Sequence, residues 1–279
     1  MSEIIALIEG AIDIHVHFGP DPRTERRAGP IEIAQRAKEL GMRGLVFKSH
    51  EYPTTPVAAV VREVVPGIEL WGGVSLDDEV GGINPHAVWA TAKMGGRVVW
   101  MPTFNAAAYR RWRGQPGGAS VLDSEGQLTP ETREVLGLIK EHDLVLATGH
   151  VDLAEVRALW GAAKALDIRR FVWTHATTCA AWYGFGVAEM KALADEGAFL
   201  EHCVIQMMPG AHSTPPPEMA RILGEIGPAR CILSTDFGQW NNPIPPEGLR
   251  MGIGMLLSAG MAASDVATMV KANPARLIE

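Results

Sequence analysis

Hydrophobic and polar positions along the chain alternate between two periods. Short apolar runs rich in β-branched residues at 11–16, 43–48, 68–74, 97–102, 144–149, 170–175, 198–204 and 230–235 read as eight strands. Between them, stretches such as "PIEIAQRAKELG" (30–41), "NPHAVWATAKMGG" (84–96), "TPETREVLGLIKEH" (129–142) and "DLAEVRALWGAAKALD" (152–167) carry the helical period. Many of them open with Pro, Asp, Asn or Thr and several close at Gly, as helix ends do. Eight βα units within about 250 residues predict a closed parallel (β/α)8 TIM barrel occupying 1–279 as a single domain, with an open doubly wound sheet as the alternative.

One unit breaks this rhythm. After the fourth predicted strand come the 25 residues "FNAAAYRRWRGQPGGASVLDSEGQL" (104–128), with little apolar period and several glycines. A loop beyond about 12–15 residues is commonly a lid or a mobile insertion. This one leaves the C-terminal end of its strand, the barrel face on which active sites sit.

Composition narrows the classes further. Of 279 residues 47% are hydrophobic, enough for one large core, and a formal charge of -7 argues against a phosphate-backbone binder. Cys179, Cys203 and Cys231 form no CxxC pair, so neither a disulfide framework nor a zinc finger is indicated. No basic leader and no apolar run of about 18 residues occurs, so the expectation is a cytoplasmic protein with no membrane or nucleic-acid partner. A small-molecule substrate is expected, and a homo-oligomer remains open.

The chemistry gathers at the predicted strand ends. "IDIHVHFGPD" (12–21) places His15 and His17 two apart, hence on one face of the first strand. "LATGH" puts His150 at the end of the fifth strand, "VWTH" puts His175 at the end of the sixth, and "ILSTD" puts Asp236 at the end of the eighth. Each alone reads as a packed histidine or a helix cap. Five on one rim read as ligands for a divalent metal ion, most simply zinc, with Mn, Fe, Co or Ni as alternatives.

In this ordered set, and in the closing "ANPARLIE", the chain resembles the amidohydrolase superfamily of metal-dependent hydrolases over essentially its whole length. The resemblance implies that His15, His17 and Asp236 hold one metal and that His150 and His175 hold a second where there is one. It also implies hydrolysis of an amide, lactone, ester or phosphoester, with deamination and decarboxylation as rarer outcomes. A departure stands beside it. Binuclear members generally bridge their metals with a carboxylated Lys or a Glu of the fourth strand, whereas "RVVWMPT" offers Trp100, Met101 and Pro102.

The second strand instead ends "GLVFKSHE", where Lys48 and His50 share a face. Lys48 is read three ways: a carboxylated bridge, a cationic substrate clamp, or a surface lysine beyond the strand. His50 is a further candidate ligand, and Glu201 in "AFLEHCV" a candidate bridge or partner of a ligand, while His202, facing the other way, is structural. Cys179 is a nucleophile only if a base lies close, and Cys203 reads as core.

Arg23, Arg26 and Arg27 in "DPRTERR" and Arg110, Arg111 and Arg113 in "YRRWRG" lie on loops after strands one and four. Arginine forks bind anions. Arg23, Arg110 and Arg111 are therefore candidates for an anionic substrate, with Tyr109, Trp182 and Tyr183 as cavity walls. Asp236 is expected to take a proton from attacking water and pass it to the leaving group, and His175, where it is not a ligand, to stabilise the oxyanion. The alternatives are a metal-dependent lyase or decarboxylase, a metal-free lactonase, and a barrel that only binds a ligand.

Overall fold

The computed structural model describes residues 2–210 and 212–279. Its strands are β1 (Ile12–Val16), β2 (Gly44–Phe47), β3 (Glu69–Trp71), β4 (Gly73–Ser75), β5 (Val98–Trp100), β6 (Val145–Ala147), β7 (Phe171–Trp173), β8 (Phe199–Cys203) and β9 (Cys231–Ser234). Neighbours pair in parallel, in the orders β1-β2-β3 and β4-β5-β6-β7-β8-β9. Helices follow between them, including Pro30–Glu39, Pro85–Lys93, Pro130–Glu141 and Leu153–Ala165 where the helical period predicts them. This is the (β/α)8 barrel, not the open doubly wound sheet.

The single strand predicted at 68–74 divides at Gly72 into β3 and β4. Thr54 is the cause: its backbone N–H donates to the Gly73 carbonyl at 2.9 Å, and its hydroxyl oxygen accepts the Gly73 N–H at 2.9 Å. These groups are thereby lost to the ladder with β2. A side chain at Gly72 would meet the Thr55 nitrogen at 2.5 Å, so only glycine allows the crossing. The ring closes at the other junction. Asp236 N–H donates to the His15 carbonyl at 3.0 Å and His17 N–H to the Phe237 carbonyl at 2.8 Å, joining the exit of β9 to β1.

A β-bulge decides what the lumen receives. Asp13 pairs with Leu45 but Val16 pairs with Phe47, so Ile14 and His15 stand opposite Val46 alone. Strict alternation would send the histidines to the face opposite Ile12 and Ile14. The extra residue reverses the parity, so Ile12 and Ile14 join the luminal apolar cluster with Val46, Val98, Trp100 and Phe199, while His15 and His17 turn inward above them. Val16, Leu45, Phe47, Leu146 and Trp173 pack outward in the second cluster, between strands and helices.

The C-terminal helix Asn273–Ile278 closes the barrel floor, where Leu277 and Ile278 join the luminal cluster. Asn273 anchors it by donating to the carbonyls of Cys231 at 2.7 Å and Pro228 at 2.8 Å.

The segment 104–128 is more ordered than its composition suggests. It contains the helix Ala107–Trp112 and a bridge between Ala106 and Ala119. Buried Glu155 ties it down, accepting from the Ser120 hydroxyl at 2.7 Å and from Val121 N–H at 3.1 Å. Among the described residues, no helix is long and apolar enough to cross a membrane.

Candidate active site

At the C-terminal ends of the strands lies a cavity of about 460 Å³, lined among others by His17, Lys48, His50, His150, His175 and Asp236. His15 is fully buried directly beneath it. One oxygen, Asp236 Oδ1, stands 3.2 Å from His15 Nε2 and 3.1 Å from His17 Nε2. His15 Nδ1 faces Glu201 Oε1 at 3.1 Å, so its proton belongs on Nδ1 and the Nε2 lone pair is left for the cavity side. Glu201 also accepts from the Ser234 hydroxyl at 2.6 Å and from His175 N–H at 3.0 Å.

The rings of His150 and His175 lie 4.7 Å apart. Among the described residues, buried His150 Nδ1 has no hydrogen-bond partner. His150 is placed through its backbone, where its N–H donates to the Pro102 carbonyl at 2.9 Å and its carbonyl accepts from Tyr183 Oη at 2.6 Å. His175 and Asp236 both have left-handed backbones, with φ of 30° and 54°. For non-glycine residues such conformations cost of the order of 1–3 kcal/mol and gather at functional sites.

Protonation follows from the surroundings. Burial holds His17 down at about 3 against the pull of Asp236, and holds His175 down at about 4. Burial likewise keeps His50 and His150 well below the ordinary imidazole range. Burial would raise Asp236, but the attraction of His15 and the His17 hydrogen bond outweigh it and hold the carboxyl well below the ordinary range. Glu201 is pulled down to about 2 in the same way: burial opposes, and the attraction and hydrogen bond of the His15 imidazole prevail. Near neutral pH, the unprotonated imidazoles of His17, His50, His150 and His175 therefore face an ionised carboxylate, which is the state metal ligands need. This donor set and the orphaned His150 nitrogen fit a divalent ion.

Lys48 is 1% exposed, which removes the surface reading; its Nζ lies 3.1 Å from His15 Nε2 and 5.5 Å from the centre of the Trp100 ring. Burial lowers its pKa, with Asp236 and Glu201 opposing. Tyr109 and Trp182 line the cavity, their rings 5.2 Å apart.

The structure does not bring Arg23, Arg110 and Arg111 to the cavity wall. Arg23 pairs with Glu51 and Glu79, Arg110 with Asp78, and Arg111 with Asp152. The arginine lining the cavity is Arg26, held by Asp21 at 2.6 Å and reaching within 3.5 Å of His17 Nδ1. Cys179 is fully buried, 3.5 Å from His175 Nδ1, and burial pushes its thiol far up, so it stays protonated. His202 points away from the site to the Thr177 hydroxyl at 2.5 Å.

Sequence reasoning missed two features. Cys203 is not simply core: its sulfur and donor atoms of His15 and Asp236 all lie within 4.8 Å of one another. The period-two rule that selects Glu201 would have placed Cys203 beside it. Buried Asp77, at the exit of β4, accepts from the backbone N–H groups of Thr103 at 2.8 Å and Asn105 at 2.9 Å, and no spacing in the sequence announces it.

Known structures share this architecture. An amidohydrolase of Pseudomonas aeruginosa superposes with a TM-score of 0.64 at 12% identity, covering 99% of this chain and 98% of that one. A probable dipeptidase of the same organism, PvdM, gives 0.69 at 11% identity over 99% and 97%. An organophosphorus hydrolase of Deinococcus radiodurans gives 0.60 at 16% identity over 97% and 92%. The amidohydrolase resemblance read from the sequence is thus matched at the level of fold. No curated protein matches the chain by sequence. A family model matches residues 10–201, and by that match the chain belongs to a family of unknown function, DUF6282.

Proposed function

We propose that this chain is a metal-dependent hydrolase that activates water to cleave an amide, lactone, ester or phosphoester bond of a small, anionic molecule. The observation carrying the proposal is the approach of His15 Nε2 and His17 Nε2 to the same oxygen of Asp236, at 3.2 and 3.1 Å, at the junction that closes the barrel. His15, His17 and Asp236 would hold a first divalent ion, most simply zinc, with Cys203 in reach as a softer donor. His150 and His175 would hold a second. A bound divalent ion supplies Lewis acidity and lowers the pKa of water toward about 7.

This chain's own groups supply the rest. The ionised carboxylate of Asp236 accepts the proton of the attacking water and returns it to the leaving group. Glu201 keeps the proton of His15 on Nδ1, and its oxygens are already engaged by His15, His175 and Ser234. That engagement favours an orienting role for Glu201 and leaves Lys48 as the candidate bridge or clamp. As a clamp, Lys48 with Arg26 gives the cavity its preference for an anion. Tyr109 and Trp182 wall off the substrate's apolar part.

The test is turnover of a panel of lactones, esters, dipeptides and phosphotriesters by metal-loaded protein, before and after chelation, with products identified. Hydrolysis that is lost on chelation and restored by zinc supports the reading. Release of carbon dioxide from carboxylated substrates as the sole activity would replace it with a decarboxylase.

A further inference from the structure

Three successive strand exits build a hydrogen-bonded chain that the metal reading does not use. It runs from Asp77, beyond β4, through Thr103, beyond β5, to His50, beyond β2. Asp77 and Thr103 are buried with 1% and 0% exposure, and His50, at 5%, lines the cavity. The Thr103 hydroxyl lies against Asp77 Oδ2 in a short contact and 2.6 Å from His50 Nδ1. The other carboxylate oxygen, Asp77 Oδ1, takes the backbone N–H groups of Thr103 and Asn105. Phe104 stacks on the His50 ring with centroids 3.9 Å apart and an interplanar angle of 21°, fixing its plane.

The direction of the chain follows from its fixed members. Backbone N–H groups only donate, so Asp77 is an acceptor at Oδ1; burial raises its carboxyl, while the Thr103 hydroxyl, the two backbone N–H groups and Lys48 oppose that and favour the ionised form. An ionised Asp77 makes the Thr103 hydroxyl a donor toward Oδ2. The threonine oxygen then keeps lone pairs for His50 and can only be met by a proton on Nδ1. His50 Nε2 has no hydrogen-bond partner among the described residues.

We propose that Asp77 and Thr103 are positioning residues that hold His50 with its proton on Nδ1, so that Nε2 presents an acceptor lone pair to the cavity for an O–H or N–H group of the substrate and is not a metal ligand. The inference deepens the reading of the same cavity, since it assigns one wall a group that receives a hydrogen-bond donor. It also separates His50 from His15, which takes its tautomer from Glu201. Charged and titratable neighbours facing His50 are Lys48, His17, His150 and His15, with Asp77 at 3.8 Å from Nδ1.

The experiment is long-range nitrogen–proton correlation NMR on histidine-labelled protein, with His50 assigned by its loss in His50→Gln. Metal-stripped wild type is expected to show a protonated Nδ1 and a bare Nε2 at His50. Thr103→Val, which keeps the shape and removes the hydroxyl, is expected to shift His50 to mixed tautomers, and Thr103→Ser to restore the wild-type pattern. Stoichiometric zinc is expected to move His15 and His17 while His50 Nε2 keeps its uncoordinated signature.

A proton on Nε2 in the wild type, or a tautomer indifferent to Thr103→Val, would overturn the positioning role. Zinc coordination at His50 Nε2 would overturn the acceptor role. Neither readout depends on turnover, so failure of the hydrolase reading is distinguishable from failure of this one. Should Thr103→Val fold poorly, Asp77→Asn is the second variant. Its amide can donate to the Thr103 oxygen, turning the threonine hydroxyl toward His50, and the expected result is a proton moved to Nε2.

Discussion

Replacing Glu201 by Gln probes how the site prepares His15. In the wild type the carboxylate meets only donors: His15 Nδ1–H at 3.1 Å, the Ser234 hydroxyl at 2.6 Å and His175 N–H at 3.0 Å. A glutamine amide must turn its NH2 toward one side. Facing His15, it forces the imidazole proton to Nε2 and removes the lone pair aimed at Asp236. Facing His175 N–H, it sets donor against donor beneath a residue that already has a left-handed backbone at φ 30°.

Loss of an outer partner to a ligating histidine costs 10- to 100-fold in metal affinity, about 1.4–2.8 kcal/mol. Zinc titration against a chromophoric chelator measures this directly, and nitrogen chemical shifts report the His15 tautomer. Ser234→Ala removes one donor and leaves the carboxylate, so its expected loss is below about tenfold. A folded Glu201→Gln protein that binds zinc as the wild type does would refute the reasoning.

Further expectations concern neighbouring groups. Asp236→Asn keeps the size and tolerates the left-handed φ of 54°; kcat should fall by about 10² to 10⁴ on any substrate the wild type turns over, with metal content and Tm less affected. An Asp236 that only supports the loop before the helix Pro245–Ser258 would instead leave turnover nearly intact and show its loss in Tm.

Gly149→Ala would drive a side chain into the carbonyl oxygens of Met101 and Pro102 at a φ of 65°. It should destabilise by at least about 2 kcal/mol, whereas Gly126→Ala, with φ 76° and open space around it, should cost only about 1 kcal/mol in urea unfolding. Equal losses would remove the steric argument. Asp13, buried and hydrogen-bonded to Thr235, is raised by burial from 3.8 to about 7. The folded state therefore keeps a proton that the unfolded chain loses, so this contribution is full below the unfolded value and fades as pH rises through about 7. Between about pH 5 and 7.5 it should lower stability by roughly 2–3 kcal/mol, and Asp13→Asn should flatten that slope in urea titrations. An unchanged slope would locate the proton elsewhere.

The residues themselves explain how far the chain could be read. Apolar runs between helical periods revealed the strand positions, because a barrel strand is buried on both faces. The division at Gly72 was hidden, since it depends on Thr54, distant in sequence, taking Gly73's ladder groups. His15 and His17 were legible as a pair by period two, but the bulge that lets them share the lumen with Ile12 and Ile14 appears only in the register with β2.

Long-range partners were least legible. Arg23, Arg110 and Arg111 looked equivalent to Arg26 in sequence, and only the folded loops decide which side chain meets an acid outside the cavity and which lines it. Asp77 reads in "SLDDEV" like any acidic cap. Its role depends on Thr103 and His50 arriving from two other strands.

The central claim is that His15, His17 and Asp236 together hold a metal ion. Metal-stripped wild type, His15→Ala, His17→Ala and an exposed control, His86→Ala, titrated with zinc by calorimetry alongside elemental analysis of the loaded proteins, test it most directly. The account expects at least one zinc per chain in the wild type and in His86→Ala, and one fewer in each of the two site variants with folding retained. A wild type that takes up no metal, or site variants that keep the full complement, would contradict it.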